Sequence, residues 1–435
     1  MRLNKYIFPT ILLAAILTSC GEDRTDEYLE KTEENQWILS QMQSDYLWND
    51  SITIPKRKDF FGSSSNFFYN LLYKGDNSSY MTDSAAATSY GMSFAIIRDP
   101  LGTSTNKSYA LVLFVEPKSP AERAGVKRGT WISKVGSHNV TSGNAGYLER
   151  GNATKLVTWQ IELDTESMEY IWSANDTLSM ESATATENPP LYLDSIYNVR
   201  NHKVGYIVYN RFTPHAQSND IANVLSQFAG QGVTDLILDL RYNSGGSAQE
   251  AARIASHFVP AAMQGDTFCR IVHNSDNSDK NITYSYSSVT PFEKTGMIYI
   301  LTTAATRGTA EAFAASLQQT LGRDKVLIVG ENSAGDNIYT QTYTSPYNFT
   351  ISPAVGELHT ADGNLLSPYG QHANYTVNEL SQFHRLYELG EEQEYLLYNT
   401  FYLIVNGTLP YLPNETDAIA PQTDKHIRKG KSITK

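Results

Sequence analysis

The chain has 435 residues, with 46 acidic against 34 basic side chains and a formal net charge of −12. An acidic chain without a basic stripe is a poor partner for nucleic acid, which excludes that class of function. Its 41% hydrophobic and 18% charged residues are an ordinary globular composition, and its length suggests two or three domains.

Arg2 and Lys5 precede the apolar run "YIFPTILLAAILTSC". That run is short for a membrane span and suits a signal-peptide core, placing a leader over residues 1–20. Its end, "LTSC", resembles the bacterial lipobox, which implies lipid attachment at Cys20; the alternative is an ordinary signal peptide with an unrelated cysteine. No later segment is long and apolar enough to cross a bilayer, so the membrane anchor would be the lipid alone. The "GEDRTDE" that follows resembles the acidic export signal of Bacteroidetes surface lipoproteins, implying an outer-membrane protein facing outward. Cys269, the other cysteine, is expected to be a small core residue. The nine histidines form no ligand cluster, and the sequence predicts neither a metal site nor a cofactor.

Residues 21–34 are polar and read as a tether. Residues 35–87 read as a small helical unit, with Ile38, Met42 and Tyr46 on one helical face and a second apolar patch in "DFFGSSSNFFYNLL". Residues 88–180 turn strand-like. "SYGMSFAII" and "YALVLFVEP" flank "SPAERAG", a short helix that Ser119 can cap and Gly125 can close. Together "VEPKSPAERAGVKRGTWISKVG" resembles a PDZ domain, with Thr130 where an Asp is usual. That resemblance implies a peptide-binding loop at Tyr90, Gly91, Met92, Ser93 and Phe94, whose backbone N–H groups would cradle a terminal carboxylate while a strand edge accepts the peptide. The alternative is a PDZ-like domain used only as a spacer.

Residues 178–200 read as a linker. From about 181 to 407 the rhythm is β-α-β-α: "VGYIVYNRF", "SNDIANVLSQF", "DLILDLR", "SAQEAARIASHFV", "MIYILTT", "TAEAFAASLQQTLG" and "KVLIVGE". This argues an α/β domain with a largely parallel central sheet, with ligands gathering at the strand ends in "RYNSGGS", "AATRG" and "ENSAGDN". An amphipathic helix closed by Gly407 follows, and 408–435 reads as a polar tail.

The blocks "NQWILSQMQSDYLWND", the PDZ-like segment, "GVTDLILDLRYNSGGS", the "TAE" helix and "VLIVGE" occur in the order of the tail-specific (C-terminal processing) serine peptidases. They resemble the Bacteroidetes lipoprotein branch of that family over about 35–406. The resemblance implies a multidomain α/β + β chain: a small helical N-terminal unit, a PDZ-like β domain, and an α/β tail-specific-protease (crotonase/ClpP-like) domain. The family carries its nucleophile in a segment like S-A-S-E and its base in one like G-E-x-x-x-G-K. Glu311 and Glu331 take the two glutamates, so the serine position falls on Gly308 and the lysine position on Asp336. Glycine has no nucleophile, and Asp336 carries the opposite charge to a lysine kept neutral by desolvation. Ser316 lies about 12 Å along the helix, at about 1.5 Å per residue. Lys325 lies roughly 20 Å away, at the wrong end of a strand. Thr309 is the one candidate substitute, and it has no evident base. Ser244, Gly245 and Gly246 resemble the glycine loop that helps form the oxyanion hole, with Ser244 replacing the first glycine; the alternative is a tight turn after a strand.

These expectations converge on a surface lipoprotein that binds peptides or protein C-termini without hydrolysing them. The alternatives are a working C-terminal processing endopeptidase using Thr309 or an unrecognised base, and a scaffold of a surface complex.

Overall fold

The computed structural model describes residues 25–410 apart from 84–87, 99, 101–106, 165, 168, 215–219 and 293–295. The leader, Cys20 and the tail from 411 lie outside the described residues.

The centre is a six-stranded sheet in the order Tyr375–Thr376, Val326–Gly330, Ile298–Thr302, Asp235–Asp239, His202–Tyr209, Leu191–Val199. All neighbours are parallel except the last pair. Asp235–Asp239 and Ile298–Thr302 are buried at every position, as continuous apolar strands covered on both faces should be. One face packs against the helices Asp220–Gln231, Ala248–Ala255 and Thr309–Leu321. The opposite face packs against Tyr395–Asn406, which Gly407 closes in the left-handed conformation.

Part of the expected linker is instead the antiparallel edge strand Leu191–Val199. Its side chains are mostly half-buried, so "LYLDSIYNV" shows neither an apolar run nor a clean alternation.

The PDZ-like region is an antiparallel sheet in the order Met92–Arg98, Ser108–Val115, Trp131–Val135, Thr154–Leu163, Tyr170–Met180. The Ser119 hydroxyl caps Pro120–Arg123 by accepting the Glu122 N–H at 3.1 Å. Leu380, Phe383 and Leu386 cover the sheet's outer face through Leu111, Trp131 and their neighbours.

At the N-terminus the helix starts at Thr25, ten residues before the expected boundary, and runs to Asp45. Residues 25–34 are therefore helix and not tether. Tertiary contacts explain this: the Tyr28 ring meets Phe61 edge-on at 5.5 Å, and Arg57 stands over Tyr28 at 4.8 Å. Asn35 donates to the carbonyls of Phe60 and Gly62. The N-terminal unit is also not purely helical, because Tyr80–Asp83 pairs with Phe349–Ser352 of the distant chain.

A buried charge cluster joins the PDZ-like and α/β regions. Arg128, from the turn before the PDZ-like strand Trp131–Val135, donates to Glu379 at 2.9 Å, to the Leu113 carbonyl at 2.5 Å and to Tyr242. Arg241 pairs with Asp239 at 2.8 Å, Glu394 at 2.8 Å and Glu379 at 3.1 Å. Tyr206 donates to Asp239 and Tyr242 to Glu379. Burial alone would raise the Glu394 pKa, but the two guanidiniums pull it down to about 2.

Candidate functional site

Four parallel strands end on one side of the sheet, and their loops assemble the site. The loop after Asp235–Asp239 is fixed by Asn243. Its side-chain N–H donates to the Tyr209 carbonyl, its side-chain oxygen accepts the Gly245 N–H, and its carbonyl accepts the Arg307 N–H. Gly246 has φ +128°, and a Cβ there would stand 2.2 Å from the Phe212 carbonyl oxygen, so only glycine fits. The tight-turn reason for "NSGG" is therefore real. Ser244 takes an ordinary negative φ and is tolerated where the family has its first glycine.

The loop after Ile298–Thr302 is pinned to its neighbour by Thr303 and Thr306, whose hydroxyls donate to the carbonyls of Arg241 and Leu240. It delivers Gly308 to the start of the Thr309–Leu321 helix with φ 59° and ψ −124°. That strand-to-helix turn is sharp, and an L-residue in it would be strained. A Cβ on Gly308 would nevertheless meet no atom within 4 Å.

Glu311 organises the rest. Its buried carboxylate accepts the N–H groups of Gly308 (2.9 Å), Gly335 (2.7 Å) and Asp336 (2.8 Å) and the Ser333 hydroxyl (2.5 Å). Burial pushes the Glu311 pKa up, and these four donors pull against that. Gly308 and Asp336 thus hang on the same carboxylate oxygen, so the two sequence-assigned positions are side by side. Glu331 opens the second loop, and burial with the nearby Glu379 carboxylate raises its pKa to about 7.

Gly308, Thr309, Asp336, Ser244 and Gly246 all line one cleft of about 470 Å³, within the range of ligand pockets. Thr309 is buried, and its hydroxyl donates to the Gly246 carbonyl at 3.2 Å; among the described residues no basic side chain is hydrogen-bonded to it. Ser316 is buried away from the cleft, donating to the Phe268 carbonyl. The opposite wall was not legible in the sequence. It comes from Tyr69 and residues 77–80 of the N-terminal unit, and the Ser78 hydroxyl reaches Asp336 at 3.3 Å. Asp76 holds that wall by accepting the N–H groups of Ser78 and Ser79 and the Tyr46 hydroxyl. A G-D-N-S turn after a helix was its only local sign, and nothing in the turn says which cleft it faces.

The second expected site, at Tyr90–Phe94, lies at the start of the edge strand Met92–Arg98. Met92 and Phe94 point into the PDZ-like core, while Ser93 is half-exposed. Two of the backbone N–H groups there are already in use. The Tyr90 N–H donates to the Glu149 carbonyl and the Gly91 N–H to the Ser89 hydroxyl. Met92, Ser93 and Phe94 pair on one side with Val115, Phe114 and Val112 of the neighbouring strand, which leaves their other side as the sheet edge.

Cys269 is buried in the core, and burial pushes its thiol up to about 12. Among the described residues no cluster of metal-ligating side chains occurs and no helix is long and apolar enough to cross a membrane.

Residues 203–377 match peptidase family S41 and residues 33–80 match the peptidase S41 N-terminal domain. The chain is similar to the carboxy-terminal processing protease CtpB of Bacillus subtilis, 22% identical over 372 residues, covering 84% of this chain and 71% of that protein. It is likewise similar to CtpA of the same organism, 23% identical over 299 residues, covering 67% and 59%. Among solved structures, an S41 protease from Bacteroides fragilis superposes with a TM-score of 0.71 at 24% identity, covering 86% of this chain and 97% of that one. The photosystem II D1 C-terminal processing protease superposes with a TM-score of 0.51 at 15% identity, covering 80% and 92%.

Proposed function

This chain belongs to peptidase family S41, the C-terminal processing proteases, and from that premise we propose that it binds extended peptides or protein C-termini without hydrolysing them. One observation carries the reading: Gly308 stands at the helix start where the family resemblance calls for a serine, and the residue beside it on Glu311 is the carboxylate Asp336. A hydroxyl attacks an amide only when a base takes its proton, and here hydroxyl and lysine are missing together. Thr309 does not replace them, since its hydroxyl is turned to a backbone carbonyl.

The remainder of a peptide site supports binding. The strand Ile338–Thr340 is the outermost of its sheet and lines the cleft, so its free edge can accept an extended chain. The PDZ-like strand Met92–Arg98 offers a second edge. We place the protein at the outer membrane, facing outward, with lipid on Cys20; "LTSC" and the acidic run after it support this.

Purified protein incubated with denatured casein and with C-terminal peptides is expected to yield no new fragments, and serine-directed phosphonates are expected to leave no adduct. Cleavage abolished by Thr309→Val would install Thr309 as nucleophile and overturn the reading. Cys20→Ala should move the protein from the membrane fraction to the soluble one; a variant that stays on membranes contradicts the lipid anchor.

A further inference from the structure

We propose that Asp336 makes the cleft a receptor for a basic side chain: a lysine or arginine of the bound peptide, whose cation sits beside Gly308. This rests on the peptide-binding reading above and names the class of peptide.

Among the described residues lining the cleft, two are charged, Arg307 and Asp336. Among the described residues no basic side chain, Arg307 included, lies within ion-pair distance of Asp336. An ionised carboxylate can accept about four hydrogen bonds. The Asp336 side chain accepts one, from Ser78, at 3.3 Å, longer than the 2.7–2.9 Å usual for a charge-assisted bond. This carboxylate is half-buried at the cleft wall.

Its position is fixed. The Asp336 N–H is held by Glu311 at 2.8 Å, and Gly335, with φ +77°, is wedged where a Cβ would stand 2.1 Å from the Pro368 carbonyl oxygen. The neighbouring space is open, because Gly308 has no side chain and a Cβ there would touch nothing within 4 Å. A fixed carboxylate beside open space, in a cleft whose walls otherwise carry hydroxyls, amides, aliphatic and aromatic side chains and the one cation Arg307, which is not paired with it, suits an alkylammonium or guanidinium on an apolar stem. The chain's net charge of −12 also favours the approach of basic segments. In effect the ligand brings the cation to the place where the family resemblance expects the protein's own lysine.

The test uses full-length protein and three fluorescein-labelled heptapeptides of alanine and serine, acetylated and amidated so that no terminal charge engages the PDZ-like loop. Their central residue is lysine, norleucine or glutamate. On wild-type protein the lysine peptide should bind about ten-fold tighter than the norleucine peptide, with glutamate weakest. Asp336→Asn should erase the lysine preference while leaving norleucine affinity within about two-fold, and Asp336→Lys should reverse the order in favour of glutamate. Equal binding of lysine and norleucine peptides by wild type, or a preference surviving in Asp336→Asn, overturns the proposal and leaves peptide binding standing. If no peptide binds at all, the peptide reading falls and this inference falls with it.

Discussion

Two groups of charged residues sit near the C-terminal ends of the same strands and are treated oppositely. In the interior cluster, Arg128 and Arg241 face Asp239, Glu379 and Glu394, and every one of these side chains is paired or hydrogen-bonded inside the protein. In the cleft, Arg307 and Asp336 flank Gly308 and neither has an ion-pair partner among the described residues. Removing charge from water is costly unless partners compensate, so the first group holds two regions together and a defect there is structural. The second stands half-buried and open to the cleft, where an incoming cation can pair with Asp336. Charge that serves stability is closed; charge that serves recognition stays open.

Breaking the closed cluster should have the largest effect. Arg241→Ala leaves Asp239 and Glu394 buried without their main counter-charge, and a loss of about 3–5 kcal/mol is expected in denaturant unfolding. A loss under about 1 kcal/mol would mean that Arg128 alone carries the cluster.

Glu331 lies at the border of the two groups. Its folded pKa, about 7, stands above the ordinary 4.5. Between about pH 4.5 and 7 the folded protein keeps a proton that the unfolded chain releases, so stability falls as pH rises through that window. Glu331→Gln should raise stability by about 2–3 kcal/mol at pH 8 and change nothing at pH 4. Melting curves of the two proteins that run parallel across pH would remove Glu331 from the border.

Gly308→Ser sharpens the comparison on the cleft side. The positive φ should cost about 1–3 kcal/mol, measured as a lowered melting temperature, while hydrolysis stays undetectable for want of a base. Adding Asp336→Lys has the better chance of activity, provided the pocket lowers the lysine pKa. Activity in the single variant would show that a base is present after all.

The smallest change is expected from Asp336→Asn. Its carboxylate has one long hydrogen bond to lose, so unfolding free energy should move by less than about 0.5 kcal/mol. A large loss would place Asp336 with the structural charges.

The sequence carried the parallel sheet well, because apolar runs such as "DLILD" and "MIYILT" have few other readings. It assigned Gly308 and Asp336 by their offsets from Glu311 and Glu331, and the structure brings those two positions together on the Glu311 carboxylate. It did not carry the cluster, whose partners Arg241, Glu379 and Glu394 are 138 and 153 residues apart and individually look like surface charges. Ser78 was hidden for the same reason, 258 residues from Asp336. Helix 25–34 and strand Leu191–Val199 were misread because tertiary contacts, and not local pattern, decide them.

The open position at Gly308 has a practical side. Its cost to any other residue is torsional and not steric, so a short reactive side chain can be installed without repacking the cleft. Cys269 is buried with its thiol pushed up to about 12, and it competes poorly for electrophiles or disulfides. A thiol from Gly308→Cys would therefore be the chain's reactive group within the cleft, able to trap covalently whatever lies across the strand ends and let mass spectrometry read its sequence.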